Sequence, residues 1–159
     1  MRRASRGAGF VVLGLVVAVA AGCARDRMMK SGSGDIVADR QRMMKLHGQI
    51  WGDIQAKAKA NNIEGIEVSA ETLAINAQYI PVMFPEGSLT DKSKAKPEVW
   101  QKFPEFEAAA AKMGTEAVKL RDAAKAKNAQ LTQDIVKDFG RNACGACHTP
   151  FRVPPPRTS

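Results

Sequence analysis

Apolar residues recur at three- and four-residue intervals through most of the stretch 35–152, and no run alternates apolar and polar residues for long. That period belongs to helices buried along one side, not to strands. Asp35 is placed to cap a first helix running to about Asn61, with Ile36, Val37, Met43, Met44, Ile50, Trp51 and Ile54 on its apolar stripe. Asn61, Asn62 and Gly65 mark its exit. Ser69 then reads as the cap of a second helix through Leu73, Ile75, Ala77 and Ile80, ending near Pro81. A long connection, Phe84 to Lys96, is rich in Pro, Gly, Ser and Lys. Pro97 suits the first turn of a third helix, whose buried face is Trp100, Phe103, Phe106, Ala110, Met113, Ala117, Leu120 and Ala124. Pro104 interrupts that pattern and predicts a kink or a restart. A fourth helix, expected from about Thr132 with Ile135, Val136 and Phe139 inward, runs into two cysteines. Four amphipathic helices with two short links and one long one predict an all-α fold, an antiparallel four-helix bundle.

The remaining segments read differently. Arg2, Arg3 and Arg6 precede an apolar run from Phe10 to Ala21, too short for a comfortable bilayer span and suited to a signal peptide over residues 1–22. Ala20-Ala21-Gly22-Cys23 resembles a bacterial lipoprotein cleavage box, which would make Cys23 an acylated anchor. An ordinary cut near Ala24, discarding Cys23, fits as well. Either route places the fold outside the cytoplasm, in a bacterial periplasm. Residues 23–34, with Ser-Gly-Ser-Gly, read as a flexible tether. Residues 153–159, VPPPRTS, read as a disordered tail.

Composition narrows the function classes. The 159 residues are 45% hydrophobic and 25% charged, a globular balance that excludes wholesale disorder. With 24 basic and 16 acidic residues the formal charge is +8; loss of Arg2, Arg3 and Arg6 leaves 21 against 16, or +5. The remaining charges are mixed rather than gathered into a basic stripe, so nucleic acid is excluded as a partner. Lys92, Lys94, Lys96, Lys125 and Lys127 read as solvated, with steering of an acidic redox partner as their functional alternative.

Chemistry concentrates in Cys144-Gly145-Ala146-Cys147-His148, a C-x-x-C-H sequence and the attachment signature of c-type heme. On a helix, positions i, i+3 and i+4 share a face, so both sulfurs reach one porphyrin edge and His148 turns under the iron as proximal ligand. Gly145 and Ala146 leave room for the macrocycle. Other readings fit less well. A thioredoxin-like dithiol sits at a helix start after a strand. A zinc site needs further ligands, and His47 is the only other histidine. A disulfide across so short a loop stabilises little, and three cysteines argue against a disulfide scaffold.

At this point the chain resembles the class II c-type cytochromes, the cytochrome c′ family, over residues 35–152. Four segments carry the resemblance: CHTPFR at the heme motif, Arg40-Gln41-Arg42-Met43-Met44 in the first helix, PVMFPEGS at 81–88, and Pro97-Glu98-Val99-Trp100 followed by Phe106. Pro150 departs from the pattern and bears on where Phe151 and Arg152 lie. The resemblance implies one covalently bound heme c with its iron, and a choice between two branches. In one, a Met four positions after the first-helix Arg completes six-coordinate iron, and Met44 holds that register, with Met43 its neighbour as competitor. In the other, five-coordinate high-spin iron binds nitric oxide or carbon monoxide. Met44 as distal ligand implies an electron carrier between redox partner proteins, not an enzyme. Arg40 is a candidate partner for a heme propionate, since a planar fork suits a carboxylate; a solvated surface arginine is its alternative. His47 reads as a partly exposed or hydrogen-bonded histidine, with iron ligation as the other reading. Met83 and Met113 read as core, and Trp51, Trp100, Phe103 and Phe106 as packing in or near the pocket. Family members are often homodimers through the first two helices, which makes a homodimer an expectation here.

Overall fold

The computed structural model describes residues 34–155. The signal peptide, Cys23, the tether before Gly34 and the tail after residue 155 lie outside them. Six α-helices follow one another: α1 Ile36–Lys59, α2 Ile66–Tyr79, α3 Glu98–Gln101, α4 Phe103–Lys125, α5 Ala129–Phe139 and α6 Ala146–Phe151. A 3₁₀ turn, Pro81–Met83, leads out of α2, and a π turn, Gly140–Gly145, joins α5 to α6. The long elements α1, α2, α4 and the α5–α6 rod form an antiparallel four-helix bundle. Among the described residues no helix is long and apolar enough to cross a membrane.

The helix ends show why these segments stop and start. Asp35 accepts hydrogen bonds from the backbone N–H groups of Val37 and Ala38 at 3.0 and 3.1 Å, satisfying two of the donors that every helix start leaves open. At the exit of α1, Asn61 takes φ +55° while Asn62 N–H bonds Lys57 C=O at 2.9 Å and Asn61 N–H bonds Ala58 C=O at 3.0 Å. This is a Schellman end, with Asn supplying the left-handed residue. Lys127 does the same at the end of α4, with φ +57°.

Two expected starts move. α2 begins at Ile66, a turn before Ser69, with Gly65 at its N-cap; the Asn62 side chain accepts from Gly65 N–H at 3.1 Å and holds the turn that leads in. Ser69 is inside the helix; its hydroxyl donates to Asp53 at 2.6 Å and accepts from Lys57 at 3.1 Å, tying α2 to α1. α5 starts at Ala129, three residues before Thr132, since the Asn128 side chain accepts from Leu131 N–H. Pro104 behaves as expected: α3 closes at Gln101, and α4 restarts at Phe103 with the proline in its first turn.

The core runs along α2 and α4, the most extensively packed pair. Small residues let them approach: a Cβ at Gly114 would stand 3.3 Å from that of Ala77. Ile54, Ile66, Leu73, Leu120, Phe106 and Phe139 are fully buried around this contact. Ile75 is exposed and lies on an outer stripe of α2 with Val68 and Tyr79.

The chain closes on itself after α6. Pro150 sits inside that helix, which ends at Phe151, and Arg152 turns to extended backbone. The long connection then clamps the end: Lys96 N–H bonds Phe151 C=O at 2.9 Å, Val153 N–H bonds Lys94 C=O at 2.8 Å, and Lys96 Nζ bonds Thr149 C=O at 3.0 Å. Phe151 is buried edge-on against Phe106, ring centroids 5.4 Å apart. The proline therefore leaves Phe151 in the core.

Candidate functional site

A cavity of about 560 Å³ opens between α1, the α5–α6 rod and the connection Phe84–Lys96, within the range of cofactor sites. Its lining brings together Cys144, Cys147 and His148 with Arg40 and Met44.

The cysteine side of the wall is built from the α5–α6 rod. C-x-x-C-H does not lie on uninterrupted α-helix as expected. Cys144 and Gly145 end the π turn, and Cys147 and His148 belong to α6. The π turn has no compositional signature, although such turns recur at functional sites. It buries Ala143 completely and leaves both cysteines and His148 half-buried on the cavity wall. Trp51 of α1, itself in the cavity lining, stacks on Phe139 of α5 at 5.0 Å.

Electrostatics distinguish these thiols from a reactive dithiol. Burial pushes both upward, Cys147 to about 11 with help from its neighbour Cys144, so both are protonated at neutral pH. A redox dithiol needs the thiolate. Among the described residues no three His, Cys, Asp or Glu side chains gather as a metal site. Burial, and secondarily the Arg152 charge, lowers His148, keeping its imidazole neutral and available as a ligand.

The opposite wall is a stripe of α1, with Arg40, Met44, His47 and Trp51 facing the cavity at helical spacing. Met44 lines the cavity. Met43, about 100° around the helix, packs against the core and is not on that wall. Met113, on α4, is buried and also reaches the lining, as do Phe106 and Trp51; Trp100 and Phe103 pack behind it.

Arg40 is not a solvated surface residue. It is 5% exposed. Its Nη2 donates to Ser88 C=O at 2.7 Å, its Nε to Ile36 C=O at 3.3 Å, and its guanidinium lies 4.5 Å from the Phe84 ring centroid. Nη1 is buried with no protein partner. His47 likewise departs from expectation: it is 8% exposed, lines the cavity, and its Nε2 is buried without a partner. Burial, then the nearby His148, lowers its pKa. The sequence signal that would have found both is their shared register with Met44 and Trp51, which interrupts an apolar stripe with nitrogen.

These features fit a heme. Two orphaned buried nitrogens need an occupant with acceptor or ligand-seeking atoms. Arg40, Lys45, Lys94 and Arg152 line the cavity and no carboxylate does, which suits the propionates. The rest of the wall, including Leu73, Ile80, Val99 and Ala110, is apolar and suits the macrocycle.

Comparison with known proteins agrees. Residues 35–152 match the family described as cytochrome c′. A cytochrome c-556 from Agrobacterium tumefaciens (strain II Chrys) is 34% identical over 120 residues, covering 74% of this chain and 96% of that protein. A cytochrome c′ from Pararhodospirillum photometricum is 36% identical over 122 residues, covering 71% and 92%. The crystal structure of cytochrome c′ from Thermochromatium tepidum has a TM-score of 0.68 at 26% identity, covering 75% of this chain and 95% of that one. The chain belongs to the class II c-type cytochromes, the cytochrome c′ family, and its cofactor is a covalently attached heme c with its iron.

Proposed function

We propose that the protein is an extracytoplasmic monoheme cytochrome that carries electrons between redox partner proteins, with Cys144 and Cys147 as thioether attachments, His148 as proximal ligand and Met44 as distal ligand. One observation carries this reading: a single apolar cavity presents Cys144, Cys147 and His148 with a thioether on the facing helix. Heme iron supplies the one-electron redox change. The protein's residues set its terms. His148 and Met44 would hold the iron from the protein side, and the soft thioether would favour the reduced state, raising the potential. The apolar wall keeps water away, so a change of charge meets little solvent rearrangement. Arg40 binds a propionate through Nη1, the nitrogen free of protein partners. Lys45, Lys94 and Arg152 at the cavity favour an acidic partner surface. With His148 and Met44 both bound to the iron, no position would be left open for substrate, which makes the proposed role non-enzymatic.

The same reading assigns residues 1–22 to a signal peptide, residues 23–34 to a tether and residues 35–152 to the cytochrome unit, in a bacterial periplasm. It also assigns the exposed stripe of Val68, Ile75 and Tyr79 on α2 to a homodimer contact, supported by its apolar character and helical register.

The test is the absorption spectrum of oxidised and reduced protein. A low-spin spectrum with a weak red sulfur-to-iron charge-transfer band is expected, and Met44→Ala abolishes that band. Persistence of the band in the variant moves the ligand to Met43 or Met113. A second reading, nitric oxide or carbon monoxide binding at five-coordinate iron, is favoured by the relatives named cytochrome c′. High-spin iron at rest with rapid carbon monoxide binding by the ferrous protein would select it.

A further inference from the structure

The wall that carries Met44 carries a second ligand-forming atom with nothing to bind. His47 lines the cavity in a residue only 8% exposed, and its Nε2 is buried with no hydrogen-bond partner. A buried imidazole nitrogen is costly to leave unpaired, and the cofactor that fills the cavity this residue lines is the partner at hand. Heme offers two kinds of partner, propionate oxygens and iron. The propionates already have Arg40, with its own unpaired Nη1, and the cations Lys45, Lys94 and Arg152. The iron is the remaining partner. Met44 and His47 are three residues apart on α1, a spacing that puts Cβ atoms about 5–6 Å from each other on one face. Helical side chains lean toward the N-terminus, so the imidazole leans over the turn that carries the thioether. Both side chains therefore address one region of the cavity, opposite the wall that bears His148. A thioether and an imidazole are both competent iron ligands.

We propose that His47 is a standby distal ligand, which takes the axial position through Nε2 whenever Met44 does not hold it. The exchange breaks one iron–sulfur bond and forms one iron–nitrogen bond with the imidazole lone pair; no electron is transferred. The proposal rests on Met44 as the resident ligand.

The experiment uses heme-loaded wild type, Met44→Ala, His47→Ala and the double variant, each checked for attached heme by stain after denaturing electrophoresis. Optical and electron paramagnetic resonance spectra of the ferric proteins are compared. Wild type is expected to show the sulfur band. Met44→Ala loses the band yet stays low-spin, with the signature of two nitrogen axial ligands. The double variant turns high-spin, and added imidazole returns it to low-spin, which shows that the pocket is intact. High-spin iron in Met44→Ala overturns the proposal, because His47 then fails to reach the vacant position. A low-spin double variant without added imidazole overturns it too, since another group then holds the iron. Failure of the Met44 reading looks different. A wild type without the sulfur band overturns that reading, and with it the standby order, whether the iron is high-spin or becomes so in His47→Ala alone.

Discussion

Arg40 is the group whose environment differs most from what its charge suggests, and its removal has a calculable effect. Arg40→Met keeps most of the stem volume and deletes the charge. It loses the 2.7 Å bond to Ser88 C=O, a charge-assisted contact of about 1.5–3 kcal/mol. It also loses the guanidinium over Phe84, 4.5 Å from the centroid, about 0.5–2 kcal/mol. Against these stands relief from burying a cation, the effect that lowers the Arg40 pKa. The net expectation is a loss of about 3 kcal/mol, or about 10 °C in melting temperature for a domain of this size. Arg40→Lys keeps the charge without the fork and loses about half as much. Denaturant unfolding of the heme-loaded protein measures both, and amide exchange over Phe84–Lys96 reports whether the long connection loosens. A loss under about 0.5 kcal/mol, the range of ordinary surface substitutions, would refute the reasoning and return Arg40 to the solvent.

Three further outcomes are expected. Phe106→Ala removes a ring packed on Phe84, Phe103 and Phe151 at 4.8, 5.9 and 5.4 Å, and costs about 3–5 kcal/mol in denaturant unfolding; a cost below about 1 kcal/mol would mean the aromatic cluster does not organise this end of the bundle. Burial holds His47 below the ordinary histidine value of 6.5, so the unfolded chain binds more protons than the folded one in that window. Unfolding free energy is therefore full above pH 6.5 and falls as pH drops below it, and His47→Phe flattens part of that slope. Val68→Glu with Ile75→Glu, on the exposed stripe of α2, is expected to give monomers by sedimentation equilibrium while the heme spectrum stays unchanged; an unaltered dimer would place the contact elsewhere.

What could be read from the amino-acid order was whatever depends on neighbours in the chain. Helix period, the Asp35 cap and the restart at Pro104 are local physics, and each appears in the fold. What could not be read depends on distant partners. Ser69 has the chemistry of a cap, but its hydroxyl is taken by Asp53 on another helix, sixteen positions back. Val68, Ile75 and Tyr79 share one apolar stripe by period, yet nothing in their own sequence says that α2 turns that edge to solvent. The π turn changes hydrogen-bond spacing without any residue that demands it. Arg40 and His47 show the same limit in the site. Polar residues on a helix are expected in water, and these two are buried because segments distant in the chain cover them: Ser88 and Phe84 of the long connection lie over Arg40, and His148 of α6 lies near His47.

The two walls of that cavity are constrained differently, and the difference bears on how the fold sets heme chemistry. The cysteine wall is held by backbone: the α5–α6 rod, the Trp51–Phe139 stack between α1 and α5, and the hydrogen bonds from Lys96 and Val153 to the end of α6 and the long connection. Changing where Cys144, Cys147 or His148 points requires moving all of these. The α1 wall is regular helix from Ile36 to Lys59, and Arg40, Met44, His47 and Trp51 reach the cavity as side chains alone. On the proposed ligation, a substitution at Met44 or His47 would change the groups offered to the iron while leaving the helix backbone in place, unlike one at Arg40, which bonds the Ser88 and Ile36 carbonyls. Attachment would then be a property of the fold, and ligation a property of single residues on one helical stripe. On that reading, membership of the family follows from the whole chain, while the choice between an electron carrier and a gas binder would turn on positions 44 and 47.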